Sequence, residues 1–589
     1  MQRAHVFRTR IALVLTVAAA ALLSGCGGRA EGFPGAPLPS GAELTDVGAQ
    51  VARSPFGMVA SASRYATEVG AAVLANGGNA VDAAVATAFA LAVTEPPMSG
   101  LGGRASTLIR TAAGAVYGID GLNQVPSGYP PVGDSAARAA AAALPAGYER
   151  AAIPGVPAAL VHALDRYGSW PLERVIEPAI RLAEDGFVLT EEVAETMAGA
   201  AETLREYDSS RRYFLKPDGS PYRAGERFVQ RDLGRTLRGI AQGGAAAFYR
   251  GWIADSIHAD MVRAGGFITR DELAGYEALP SILVRGSYRG YELVGNYMPA
   301  SGHTVIEALH IMERFPLVDL PSAQRASITS QAMQLALSDR SRRFGTSQES
   351  AARLTSKEWA AERAREIGGV ERVGRAPVRA RPAAAGGADD GALVPAGAGR
   401  GVEPWRPPPD RDHTTHLSVV DRNGMAVAHT QSLGPAMGTG LAASGLGFLY
   451  ATRLGSSPGS RPGSTISPTI VTAERGRLRY VLGAAGDSRI ITAVIQTLSR
   501  AIDEGMPIEL AVAAPRLHPA GMNALRLERD MRTGWRDADV DSLRALGFDV
   551  QLTPAGYFAR VHAIAVAGGT LTGAADPRRT GTAVGVRRR

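Results

Sequence analysis

The sequence predicts a layered α/β sandwich, and three observations carry that expectation. The run from Ala80 to Val93 (AVDAAVATAFALAV) is apolar on nearly every face, so as a helix it belongs between layers. Leu417, Val419, Met425 and Val427 alternate around Asp421-Arg422-Asn423-Gly424, the pattern of a β-hairpin. Helices and strands follow one another without a regular βαβ beat, which favours separate layers over a doubly wound parallel sheet. With 45% hydrophobic residues, the part from about Pro55 to Arg589 can bury a large core.

The elements follow in order. Residues 1–25 read as a secretory leader: Arg3, Arg8 and Arg10 are basic, and Ile11 to Leu23 is apolar but short for a bilayer span. Leu23-Ser24-Gly25-Cys26 reads as a bacterial lipobox in which Cys26 is lipidated. Cys26 is the single cysteine, so no intramolecular disulfide can form. The expectation is an exported protein held on the cell-envelope membrane by its lipid, with residues 26–54 as tether. A helix from Tyr65 to Leu74 ends at Gly77-Gly78, and Asn79 caps the buried helix that runs to Pro96-Pro97. Further helices are predicted over Pro171–Glu184, Gln230–Gln242 and Ile253–Ala264, then a strand over Leu283–Tyr291. Later come a strand around Val481–Gly483, a buried helix Ile490–Ala501 and a strand Val561–Ala567.

Between residues 374 and 413 the chain is rich in Pro, Gly, Ala and Arg with little apolar periodicity, which buries too little surface to offset ordering entropy. This arm divides a segment of residues 55–373 from one of 414–589. An ordered strand starts abruptly after it, at Thr414-Thr415-His416. One reading is a linker followed by an ordinary edge strand. The other is a peptide bond meant to be cut, since a new N-terminal threonine carries a hydroxyl nucleophile and its own α-amine base. A two-residue Asn-Gly turn in the hairpin sets Thr414 opposite Leu433. A three-residue loop with Gly424 left-handed sets it opposite Ser432, putting two hydroxyls on one face.

The charge balance, Lys+Arg 63 against Asp+Glu 56, is carried almost wholly by arginine and is dispersed, giving no basic stripe for nucleic acid. Ten scattered histidines give no metal spacing. Gly100-Leu101-Gly102-Gly103 lacks the spacing and following Lys of a phosphate cradle, so no metal or cofactor is expected.

These segments together resemble the γ-glutamyltransferase (glutathione hydrolase) family of N-terminal-nucleophile hydrolases. The resemblance runs through Gly57-Met58-Val59-Ala60-Ser61, Gly77-Gly78-Asn79-Ala80-Val81-Asp82, Ser99-Gly100-Leu101-Gly102-Gly103, Glu177-Pro178-Ala179-Ile180 and Val284-Arg285-Gly286-Ser287-Tyr288. It continues through Thr414-Thr415-His416, Ile466-Ser467-Pro468-Thr469 and Ala575-Asp576-Pro577-Arg578. It implies a four-layer αββα sandwich, self-cleavage before Thr414 and processed halves that stay together. It also implies acyl transfer from a γ-glutamyl or other acyl amide, with Thr414 as nucleophile and Ser432 in place of a supporting threonine.

The departures cluster in donor recognition. Leu122 stands where the family has the Arg that holds the donor carboxylate, and an alkyl chain cannot replace a bidentate guanidinium. Gly434 replaces an Asn; Arg453 and Ser456 align with the Gln and Asp that hold the donor amine. Ser464-Thr465 keep a hydroxyl pair. Gly486-Asp487 take the place of the glycine pair of the oxyanion hole, where a carboxylate is unfavourable unless it points away or is paired, with Arg453 for example. Arg104, beside the glycine turn, is read as a surface residue, with a replacement anion contact as the alternative. The expected activity is that of a family acyl transferase or amide hydrolase with an altered donor pocket. The alternatives are an acylase of the glutaryl or cephalosporin type and a catalytically silent envelope binding protein.

Overall fold

A computed structural model describes residues 42–131, 134–143, 146–341, 345–368, 414–452, 457–521, 523–529 and 534–588. Two antiparallel sheets form its centre. In the first sheet the spatial order is Ala42–Thr45, Thr582–Arg588, Gly57–Ser61, Thr415–Asp421, Ala426–Ser432, Arg104–Arg110, Val116–Gly121 and Leu279–Pro280. In the second it is Val51–Ser54, Thr570–Ala575, Arg560–Ala567, Leu478–Ala485, Thr469–Thr472, Tyr291–Asn296 and Leu283–Tyr288.

The inner faces of the sheets meet through apolar side chains, among them Met58, Ala60, Leu108, Val420 and Ala428 from the first and Ile470, Val481 and Ile564 from the second. Helices Arg64–Ala75 and Ala80–Thr94 cover the outer face of the first sheet, and Gly302–Met312 and Arg489–Ile502 cover that of the second. The result is the expected αββα sandwich. Every residue of Ala80–Thr94 is buried, as its all-round apolarity requires. Its start is set by a capping box: the Asn79 side chain accepts from the Val81 and Asp82 amides, and the Asp82 carboxylate accepts from the Asn79 amide at 2.7 Å.

The hairpin takes the three-residue loop. Val420 pairs with Ala426, the Asp421 amide bonds to Met425 O, and Gly424 has φ +77°. Thr415 therefore faces Gln431, and Thr414 lies opposite Ser432.

Two sequence expectations are corrected. Leu283–Tyr291 is a hairpin rather than one strand: Leu283–Tyr288 turns at Arg289-Gly290, both with positive φ, into Tyr291–Asn296. The fold also begins inside the segment assigned to the tether, because Ala42–Thr45 and Val51–Ser54 are edge strands of the two sheets. Their short alternating pattern gains its partner only from the last strands, Thr582–Arg588 and Thr570–Ala575. The leader, Cys26 and the arm at 374–413 lie outside the described residues.

Both sheets are built from strands that precede Thr414 and strands that follow it. Thr415–Asp421 sits between Gly57–Ser61 and Ala426–Ser432, and the latter pairs on its other side with Arg104–Arg110. The two segments of the chain thus share their cores.

Candidate active site

Antiparallel pairing assembles a row of side chains across the first sheet. Thr414 is opposite Ser432, Ser432 pairs with Arg104, and the register that pairs Ala105 with Gly121 carries Leu122 opposite Arg104. Directly opposed residues of an antiparallel ladder project to the same face. Thr414, Ser432, Arg104 and Leu122 therefore form one line, drawn from stretches of sequence far apart along the chain.

The two hydroxyls at the start of the row are in contact. Thr414 Oγ1 donates to Ser432 Oγ at 3.0 Å, and the Gly434 amide donates to the same oxygen at 3.0 Å. Thr414 is 3% exposed and Ser432 2%, so neither hydroxyl is held by bulk solvent. The Gly-rich turn serves this arrangement. A Cβ on Gly103 would come within 2.8 Å of Ser432 O, and one on Gly102 within 2.1 Å of Leu449 O. Its glycines let backbone meet backbone beside Ser432.

Arg104 is not a surface residue. It is 4% exposed, because the strand it opens, Arg104–Arg110, is buried along its whole length. Burial pushes its guanidinium down to about 10, and the nearby Asp487 charge partly offsets this. It remains protonated at neutral pH. Nη1 donates to Asn123 Oδ1 at 3.4 Å. Leu122 is 1% exposed; its amide donates to Asp120 Oδ1 at 2.8 Å, and its carbonyl accepts from the Tyr276 hydroxyl at 2.6 Å.

Gly486 and Asp487 turn the chain from strand Leu478–Ala485 into helix Arg489–Ile502, with φ +139° and +53°. Among the described residues neither amide is spent on an intramolecular acceptor, leaving two successive donors. Asp487 is exposed. The strand that leads into this turn packs against Thr415–Asp421, with Gly483 facing the His416 ring.

Other expected residues lie elsewhere or outside the description. The Ser464 amide donates to Pro299 O at 2.7 Å and its carbonyl accepts from Ser301 Oγ at 2.7 Å. Among the described residues no hydrogen bond joins Ser464 or Thr465 to Thr414. Arg453 and Ser456 fall outside the described residues, and with them the pairing of Arg453 with Asp487.

Sequence reasoning missed a second buried group. Glu95, ending the apolar helix, is 3% exposed. Burial and the like charge of Glu192 raise its carboxyl to about 7, partly offset by Arg560 and Arg579. Its signal was the Glu-Pro pair directly after an all-apolar helix. His416, His429 and His562 are also buried in the sheets and held neutral, His416 by burial and by the two other rings. His416 Nδ1 and Nε2 are engaged by Thr430 Oγ1 at 2.7 Å and Ser418 Oγ at 3.1 Å.

The gamma-glutamyltranspeptidase family model matches residues 66–586. The chain belongs to the γ-glutamyltranspeptidase family. It is 34% identical to the glutathione hydrolase proenzyme of Escherichia coli strain K12, over 95% of this chain and 97% of the relative. It is 31% identical to an acylase proenzyme of Pseudomonas sp. strain SE83, over 93% of this chain and 97% of the relative. The crystal structure of a cephalosporin acylase from Bacillus halodurans superimposes with a TM-score of 0.77 at 26% identity, covering 94% of this chain and 98% of that one. The protein is thus an enzyme of the γ-glutamyltranspeptidase family, with hydrolases and acylases among its relatives.

Proposed function

We propose that this γ-glutamyltranspeptidase-family enzyme cuts its own chain before Thr414 and then transfers or hydrolyses an acyl group through that threonine. The 3.0 Å contact between Thr414 Oγ1 and Ser432 Oγ, at the start of a central strand, carries the reading. After cleavage the freed α-amine of Thr414, with an unperturbed value of about 7.7–8.0, accepts the hydroxyl proton near neutral pH. Thr414 Oγ1 attacks the amide carbonyl, the C–N bond breaks, and the amine leaves with the proton held by the α-amine. Water, or an acceptor amine, then attacks the ester, gives up its proton to the α-amine and releases the acid or new amide. Ser432 orients the nucleophile, and the Gly486 and Asp487 amides face the developing oxyanion.

The shared sheets support continued association of the halves, since separating them would expose the core of both. Arg560 and Arg579, which follow Thr414, both pair at 2.7 Å with Glu192, which precedes it. The donor pocket is retargeted: Leu122 stands where the family has a cation, and relatives named acylases stand beside the glutathione hydrolases. Lipidation at Cys26, and so a place on the envelope membrane, belongs to the same reading and rests on Leu23-Ser24-Gly25-Cys26. Labelling with a radioactive fatty acid should be lost in Cys26→Ser.

Denaturing electrophoresis tests the core of the proposal. Purified protein should give a fragment beginning at Thr414 and containing residues 414–589, while Thr414→Ala stays whole. A wild-type chain that remains intact would remove both the free nucleophile and its base, favouring a silent binding protein.

A further inference from the structure

Arg560 is 1% exposed, and only Nη1 of its guanidinium meets an acceptor among the described residues; Nε and Nη2 meet none. That acceptor, Glu192 Oε1, is shared, because Arg579 Nη1 lies at the same 2.7 Å from it. The Thr580 amide and hydroxyl donate to the other oxygen, at 3.4 and 3.2 Å. Two guanidiniums on one carboxylate leave a net positive charge beside a buried side chain, where solvent screens it little.

Strand register sets where this charge sits. Arg560 stands directly opposite Ala485, so both side chains project to one face of the second sheet. That face is the inner one: Gly483, two residues before Ala485, would bring a Cβ within 2.3 Å of the His416 ring. Ser418 Oγ donates to the carbonyl of His562, the partner of Gly483, at 3.0 Å. Val420 shares an apolar cluster with Val481 and Ile564. The nucleophile strand and Leu478–Ala485 thus run past each other in opposite directions across the sandwich. One further step of two residues, past His416 and Gly483, brings Thr414 level with Ala485 and Arg560. Facing sheets stand about 10 Å apart. The other charged groups at this end are accounted for. Asp576 is taken by Arg516 and Arg578, at 2.6 and 3.0 Å. His416 and His562 are neutral, and Glu95 gains its charge only near pH 7. Asp487 and Arg489, beyond Ala485, carry opposite charges, and Arg104 is a further cation along the row.

We propose that Arg560 is a positioning residue that acts through the base: its charge holds the freed α-amine of Thr414 unprotonated at neutral pH, ready to take the hydroxyl proton. This assignment rests on the acyl-transfer reading above. An ammonium at Thr414 meets a like charge about 10 Å away, and at an effective dielectric near 20 that disfavours it by about one pH unit. The effect needs no contact with substrate.

The titration of that amine can be read directly. Lys216 and Lys357 are the only lysines and both precede Thr414, so the fragment 414–589 carries a single amine, its own N-terminus. The processed protein is labelled with acetic anhydride over a series of pH values. Hydroxylamine then removes esters, and mass spectrometry of the fragment gives the midpoint without any turnover. Arg560→Met, which leaves Glu192 with Arg579 and Thr580, should raise the midpoint by about half a pH unit or more, whereas Arg560→Lys, which keeps the charge, should hold it within about 0.2. Glu192→Gln takes the carboxylate from both guanidiniums and should lower the midpoint by about half a unit or more, and it decides the matter if the Met variant does not fold. A merely structural role for Arg560 moves no midpoint. An unmoved midpoint in Arg560→Met, or a rise in Glu192→Gln, would overturn the assignment. A shifted midpoint in a protein that turns over no acyl p-nitroanilide would sink the acyl-transfer reading and leave the charge effect standing. A chain that is never cut has no such amine and would sink both.

Discussion

Replacing Glu95 by Gln should stabilise the protein by an amount that grows from about pH 4.5 and is complete above about pH 7. Glu95 is 3% exposed, and burial followed by the like charge of Glu192 raises its carboxyl from 4.5 to about 7. That difference corresponds to about 3 kcal/mol between the two protonation states. The sign follows from linkage. Below pH 4.5 the group is protonated in both folded and unfolded chains and costs nothing. Between 4.5 and 7 the unfolded chain ionises while the folded one resists, so stability falls. Above 7 the full penalty is present. Gln keeps the shape and has no charge to desolvate, so it removes the penalty and leaves low pH unchanged. Unfolding entropy of about 2.1 cal/mol/K per residue makes 3 kcal/mol worth about 3 °C in a chain of this size. The assay is scanning calorimetry at pH 4.5 and 8.5 in a Thr414→Ala background, where one intact chain unfolds. The Gln variant should melt about 3 °C higher than its parent at pH 8.5 and no more than 1 °C away at pH 4.5. A shift of equal size at both pH values, or a lower melting point at pH 8.5, would show that Glu95 is ionised and paired instead.

Ser432→Ala removes the acceptor of both Thr414 Oγ1 and the Gly434 amide. An unsatisfied buried donor costs about 1–3 kcal/mol, so self-cleavage followed on a gel should slow roughly 10- to 100-fold, while Ser432→Thr should stay near wild type. Asp576 pairs with Arg516 at 2.6 Å and Arg578 at 3.0 Å, and accepts from the Val561 amide at 2.8 Å. Asp576→Ala takes from two buried arginines a carboxylate that pairs with both and should cost about 3–5 kcal/mol in a urea titration; a loss under 1 kcal/mol would mean the cluster relaxes into water. Gly434→Ala should cost about 1–2 kcal/mol for its left-handed backbone, and the new Cβ would crowd Thr452 Oγ1 and Arg104 Nη2, so the melting temperature falls.

How much of this could be read from the chain depends on the range of the interaction concerned. Asn79 and Asp82 cap a helix three residues away, and the all-apolar run of Ala80–Thr94 dictates its own burial. Asp421 to Gly424 hold one loop, and choosing between its two registers was a local question that the Gly424 conformation answers. Leu283–Tyr291 went wrong for a local reason too, because Arg289-Gly290 is a two-residue turn flanked by strands that together read as one.

The sequence by itself determined the sandwich and the strand that follows Thr414, because apolar periodicity, capping and turn chemistry act within a few residues, and the order of its matching segments determined the family. Tertiary structure alone decided that Arg104 is buried and lies between Ser432 and Leu122, that Asp487 is exposed and that Glu95 resists ionisation. Each of these depends on which distant strand pairs with which, and on the water that this pairing excludes. A charged side chain looks the same along the chain whether it meets solvent or a low-dielectric pocket, and its chemistry is set by the neighbours that pairing supplies.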